Sequence, residues 1–224
     1  MLIVSPMLNP DAAVTPISFT YVSSNSSSTD ATSYTFTAQS IGTASATRIV
    51  VVAVYCRATS AGSNISSVTI GGNAMTSRVT VGNSNTSGGQ SRVALFTYPL
   101  TTGTTANIVV NYSATCARCG IVVYNLFDAT SETPVVTNTS NGSATLTLSS
   151  NTLSGDVGIA AGNSTTTGPT FAWTGLTENS DFTVETNAMS TASLLFSSNE
   201  SPRTITATTG GAANDVCGVF AMWS

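Results

Sequence analysis

The run Arg48-Ile49-Val50-Val51-Val52-Ala53-Val54-Tyr55-Cys56-Arg57 constrains the fold more than any other stretch. It holds no glycine or proline, is too short to cross a membrane, and is too rich in β-branched residues to favour a helix, so it reads as a strand. Ile49, Val51, Ala53 and Tyr55 point one way; Val50, Val52, Val54 and Cys56 point the other. Both faces are apolar, so both need a cover.

Two further segments share this property, Cys119–Phe127 and Val216–Trp223. Strands that are apolar on both sides belong to a sheet buried on both faces. The three are therefore expected to be neighbours in one sheet. One face would form a sandwich core and the other would meet an N-terminal arm, a long loop or another subunit. On this reading Val50, Val52, Val54, Val122, Tyr124 and Trp223 form a candidate assembly face.

The rest of the chain alternates. Ser33–Ala38 puts Tyr34 and Phe36 inward, and Ser66–Ile70 and Arg78–Val81 flank Gly71-Gly72-Asn73-Ala74 as in a hairpin. Strands are also expected over Arg92–Tyr98, Asn107–Tyr112, Thr145–Leu148, Val157–Ala161, Phe182–Val184 and Thr204–Thr208. No segment of helical length repeats apolar residues at three and four. The expectation is an all-β, antiparallel, jelly-roll-like sandwich of about ten to twelve strands. Residues 1–16, with Pro6, Pro10 and Pro16, read as an extended N-terminal arm, and 17–224 as a single β-sandwich domain.

Composition narrows the function. Only 7% of residues are charged, against an ordinary share of roughly a quarter. Solubility must come from serine, threonine and asparagine. With net charge −4 and its arginines scattered singly, the chain lacks the basic cluster that phosphate binding needs, so no nucleic-acid partner is expected. The start has no basic region ahead of its apolar run, and no stretch reaches membrane length, so the protein is expected to be made in a cytoplasm without a signal peptide and to have no membrane partner.

No histidine and no lysine occur, which removes Ser-His-Asp, Cys-His and Ser-Lys chemistry. Two carboxylates could still serve a glycosidase, but Asp128, Asp156, Asp181 and Glu185 sit beside turns or strand ends without paired spacing. Cys116-Ala117-Arg118-Cys119 has the spacing of half a zinc site, yet Cys56 and Cys217 stand alone in apolar strands. Cys56 and Cys217 read as small buried hydrophobes, and a Cys116–Cys119 disulfide stays open for a protein that has left the cell. No enzyme activity, cofactor or metal is expected. The best ligand candidate is Trp173, flanked by hydroxyls and Glu178 in the manner of a carbohydrate platform, with a core or interface tryptophan as the commoner alternative.

The order Arg48-Ile-Val-Val-Val-Ala-Val, Ser66-Ser-Val-Thr-Ile-Gly-Gly, Gly120-Ile-Val-Val-Tyr, Trp173-Thr-Gly-Leu-Thr-Glu and Ser201-Pro-Arg-Thr-Ile-Thr-Ala-Thr is similar to a family of uncharacterised Ser/Thr-rich β-sandwich proteins encoded among tailed-bacteriophage virion genes. The resemblance spans about residues 17 to 223. It implies a structural protein located in the virion and made in the host cytoplasm, with other capsid or tail proteins as partners, and it carries over no site residues. The short lone arm favours a free-standing capsid decoration protein, a homo-oligomer, over a fibre module. A carbohydrate- or receptor-binding module for host adhesion, with a surface glycan as partner, is the alternative.

Overall fold

The computed structural model describes residues 15–60, 62–83, 90–142, 144–165, 170–209 and 216–224. Among these residues there is no helix; sixteen strands pair throughout in antiparallel fashion. In the first half they are β1 (Ser18–Ser27), β2 (Ala31–Ser40), β3 (Ile49–Ala58), β4 (Ile65–Ile70), β5 (Asn73–Ala74), β6 (Thr76–Gly82), β7 (Gln90–Tyr98) and β8 (Thr105–Phe127). In the second half they are β9 (Val136–Asn141), β10 (Thr145–Thr152), β11 (Val157–Ser164), β12 (Phe171–Thr174), β13 (Thr177–Val184), β14 (Asn187–Leu195), β15 (Glu200–Thr209) and β16 (Val216–Trp223). The expected all-β antiparallel class holds. The strand count exceeds the expected one because short pieces such as β5 and β12 are too brief to show a period.

All eight strands of the first half join one sheet around β8, which is 23 residues long. Its first part lies between β2 and β4, and its second part between β1 and β3. The sheet curls so that its two wings share a core. Tyr34, Phe36, Val68, Ile70, Ile108 and Val110 come from one wing; Val50, Val52, Val54, Ile121 and Val123 come from the other. Beyond β3 the order continues through β7 to β6.

The second half forms two more sheets, ordered β13-β14-β11-β16-β9 and β10-β15-β12. The five-stranded sheet packs one face on the first sheet, where Val157, Ile159, Ala161, Val219 and Trp223 meet Val51, Ala53, Tyr55, Val122 and Tyr124. Its other face packs on the three-stranded sheet through Ala160, Phe220, Met222, Leu148 and Ile205. The result is four β layers, two sandwiches back to back, with the inner two layers covered on both sides.

This layering explains the two-sided strands and corrects one expectation about them. β3 and the second part of β8 are indeed neighbours, but β16 belongs to the opposing sheet and faces them across the core. Two-sided burial counts covered faces; it does not name the sheet. β11 is buried along its whole length for the same reason. Gly158 and Gly162 stand where Phe196, Phe220 and Phe171 approach; an added Cβ would come within 2.8 Å of these rings.

The expected 66–70 to 78–81 hairpin is also corrected. Gly71 and Gly72, with φ of +55° and +84°, turn β4 back into the two-residue β5, while β6 pairs with β7 on the far side of the sheet. Of the expected arm, residues 1–16, positions 1–14 lie outside the described residues. Thr15 and Pro16 are exposed, and Ile17 enters the core between the sandwiches.

Asn163 and Tyr55 carry hydrogen bonds across the layers of the core. Asn163 Nδ2 donates to the carbonyls of Cys56 (3.0 Å) and Arg92 (2.8 Å), and its Oδ1 accepts from Asn187 (2.8 Å). Tyr55 donates to the Ser190 carbonyl at 3.0 Å. These bonds satisfy groups that burial would otherwise leave unpaired, and they fix the register of one sandwich on the other.

The cysteine expectations change. Cys56 and Cys116 form a disulfide, with Cα atoms 6.2 Å apart and a sequence separation of 60. Cys116 and Cys119 are three residues apart on one extended strand, roughly 10 Å by strand rise, too far for a disulfide. Cys119 remains a buried thiol that accepts a hydrogen bond from Tyr112, and burial pushes its pKa up to about 12. Cys217 is buried, as expected of a small hydrophobe.

Candidate interaction surfaces

The expected assembly face is not a surface in this protomer. Val50, Val52 and Val54 are sealed inside the curled sheet, and Val122, Tyr124 and Trp223 lie between the two sandwiches. All six are at 0% exposure. The cover that two-sided strands demand comes from the chain itself, because the polypeptide is long enough to build four layers. Trp223 also donates its indole N–H to the Glu132 carbonyl at 3.1 Å, as a core tryptophan should.

Trp173 lies on β12, an edge strand of the three-stranded sheet. It is half-buried, stacks on Phe171 with centroids 6.2 Å apart, and packs against the core of the second sandwich. Its Nε1 donates to Ser190 Oγ (2.9 Å), which in turn donates to the Ser180 carbonyl (3.0 Å). The indole is therefore tied into the structure with its polar atom already used, which corrects the expectation of an exposed platform. Glu178 is exposed on β13, where Asp181 also lies; in register they oppose Ala192 and Ser190. Asp181 accepts the Phe171 backbone N–H at 3.0 Å, so it clamps β12 to β13. The sequence did not single out Asp181 beside Trp173 because the bulge between Glu178 and Ser180 shifts the alternation that would have placed it.

Four further acids serve the structure: Asp156 accepts the Leu153 backbone N–H (3.2 Å), and Glu185, Glu132 and Glu200 pair with Arg118, Arg78 and Arg203. No group of three or more metal-ligating side chains gathers among the described residues.

Burial raises the carboxyl pKa of Asp156, Glu178 and Asp181, and the Asp181 charge adds to the shift at Glu178. An acid whose folded-state pKa exceeds its unfolded value holds its proton more tightly when folded. Its contribution to stability is fullest below the ordinary carboxylate range and declines as pH rises through the raised folded value. The melting temperature is therefore expected to hold or rise slightly on acidification from pH 7 to about 4.5, with Asp181→Asn flattening the change. A steady fall over that range, followed by circular dichroism, contradicts it.

One end of the molecule carries the apolar surface. Val135, Leu153 and Leu195 are the exposed large hydrophobics among the described residues, at 56%, 59% and 45%. Leu195 pairs with Val157, Val157 with Trp223, and the Val135 N–H bonds to the Met222 carbonyl, so the three border the same ends of the five-stranded sheet. Val135, Val136, Leu153 and Met222, with Asn151, Asp156 and Ser224, line a groove of about 330 Å³ there. Comparison of the chain with protein-family models, with curated proteins and with solved structures returns no match.

Proposed function

We propose that this protein is a non-enzymatic structural component of a tailed-phage virion, an accessory protein that decorates the capsid and contacts it through the apolar end. The observation that carries the reading is the gathering of the large exposed hydrophobics at one end of a body otherwise coated with hydroxyls and amides. Such a patch marks an interaction site more often than a chance arrangement. The stacked sandwiches give the rigid body that a particle surface requires, and the phage-protein resemblance of the strand motifs points the same way.

Contact through apolar burial is insensitive to salt, because little of it is screened. The purified protein is therefore expected to co-sediment with capsids equally at low and high ionic strength. Val135→Ser with Leu153→Ser should abolish co-sedimentation while changing stability by less than about 0.5 kcal/mol, since both side chains are largely exposed. A protein that stays a free monomer beside every virion part, or a double variant that binds as well as the parent, removes the proposal. The carbohydrate- or receptor-binding alternative loses Trp173 as its anchor, and a different face favours it.

A further inference from the structure

The wing made of β2, β4 and the first part of β8 turns Tyr34, Phe36, Val68, Ile70, Ile108 and Val110 into the core, and its other face lies open. Across that face the strands are in register. Ser33 opposes Asn111, which opposes Ser67; Thr35 opposes Val109, which opposes Thr69. Asn111 is held at both ends, accepting from Ser33 Oγ at 2.7 Å and donating to Ser67 Oγ at 3.1 Å. One step along, Asn107 Oδ1 accepts the Ala38 backbone N–H at 2.9 Å. No residue of β2, β4, β5 or the stretch 105–112 is charged.

Beside this face is a concavity of about 490 Å³, lined mostly by polar residues, Asn25, Ser27, Thr29, Ser33, Thr35 and Thr37 among them, with Ala31, Tyr34 and Phe36 as its apolar members. Of this lining, Asn25 donates its Nδ2 to Gln39 Oε1 (2.9 Å), and Gln39 Nε2 in turn donates to Ser23 Oγ (2.7 Å). At the β1–β2 turn, Asp30 is paired with Arg118 at 3.2 Å.

We propose that this concavity and the adjoining hydroxyl–amide face bind a neutral glycan. A neutral sugar presents hydroxyls that both donate and accept, and this surface offers the same groups in fixed positions without a charge. Threonine on a strand is stiff about χ1, and Asn111 is held by two bonds, so little side-chain freedom is lost on binding. An acidic glycan or nucleic acid would need the cations this face lacks. A protein partner would need a desolvated apolar or aromatic centre; in the Ser33–Asn111–Ser67 and Thr35–Val109–Thr69 rows only Val109 is apolar, and Tyr34 and Phe36, at 5% exposure, are turned into the core. The volume falls within the range of small-molecule sites, about 300–1,000 Å³. The proposal is independent of the capsid reading, because the apolar groove involves none of these residues.

The test is a glycan array of neutral and acidic oligosaccharides, followed by titration of soluble glucan and mannan into the intact protein. Three variants accompany the parent: Thr35→Glu, which sets a charge in the middle of the face; Asn111→Ala, which removes its central amide; and Trp173→Phe. The parent is expected to bind neutral glycans. Thr35→Glu and Asn111→Ala should weaken binding at least tenfold at unchanged melting temperature, while Trp173→Phe leaves it intact. Absence of neutral-glycan binding, preference for acidic glycans, or full binding by Thr35→Glu overturns the proposal. Capsid co-sedimentation by Thr35→Glu reports on the other reading separately.

Discussion

Arg48→Met is expected to destabilise the protein by about 4 kcal/mol, a large fraction of the roughly 5–15 kcal/mol that holds a domain folded. The side chain is fully buried. Its guanidinium donates to six backbone carbonyls: Nε to Leu100 (2.6 Å), one terminal nitrogen to Ile41, Gly42 and Thr43 (3.0–3.1 Å), and the other to Thr102 and Gly103 (2.7 and 3.0 Å). Five N–H groups serve six acceptors, so at least one bond is shared. The arginine thus staples the loop before β3 to the loop after β7. Burial lowers its pKa, yet guanidinium is basic enough to stay charged, and hydrogen bonds from a charged donor are the stronger kind.

Methionine fills much of the volume but leaves those carbonyls without donors, each at a cost of about 1–3 kcal/mol where water cannot enter. Arg48→Lys should recover only part of the loss, because an ammonium has three donors and no planar fork. Urea unfolding measures both, and hydrogen exchange should show residues 41–43 and 100–103 loosening first. A loss below about 1 kcal/mol for Arg48→Met contradicts the staple.

Val52→Asp is expected to prevent folding at neutral pH. Val52 sits on β3 opposite Val123 of β8 and Phe96 of β7, with its side chain in the core of the curled sheet and none of it exposed. An ionised carboxylate placed there without a partner is penalised by more than the whole stability of a domain. The milder Val52→Ala should lose about 2 kcal/mol through lost burial and a small cavity. Soluble expression and circular dichroism read the first, and urea unfolding the second. If Val52→Asp were folded and merely failed to assemble, the valine face would be an interface after all, and the layered core described above would be wrong.

These two residues show where sequence reading succeeded and where it stopped. The run from Arg48 to Arg57 is legible as a two-sided strand because the strand period is two and every position is apolar. Period says nothing of what covers each face. Val50 and Val51 look alike in sequence, yet one meets β2 and β4 through β8's curl and the other meets a different sheet. Arg48 is in sequence only the residue that opens this run; its role depends on two loops that approach from 7 and 55 residues away. Trp173 reads in sequence as a large aromatic beside polar residues, a candidate platform, but its indole N–H is taken by Ser190, on another strand. The Ser33–Asn111–Ser67 row has no local signature, because its members are 78 and 44 residues apart in sequence.

By itself, then, the sequence determined an all-β antiparallel chain, coated in hydroxyls and amides, with strands that must be buried on both faces. Those properties are local: they follow from side-chain period, β-branching and the near absence of charge. Only the tertiary structure decided that the cover is the chain's own, that β16 opposes β3 instead of joining its sheet, that Cys56 finds Cys116, and which surfaces stay open. Each of these is a contact between residues distant in sequence, set by how β8 curls and how the two sandwiches dock. No local pattern encodes that choice, because any apolar face can be buried by any other of matching shape.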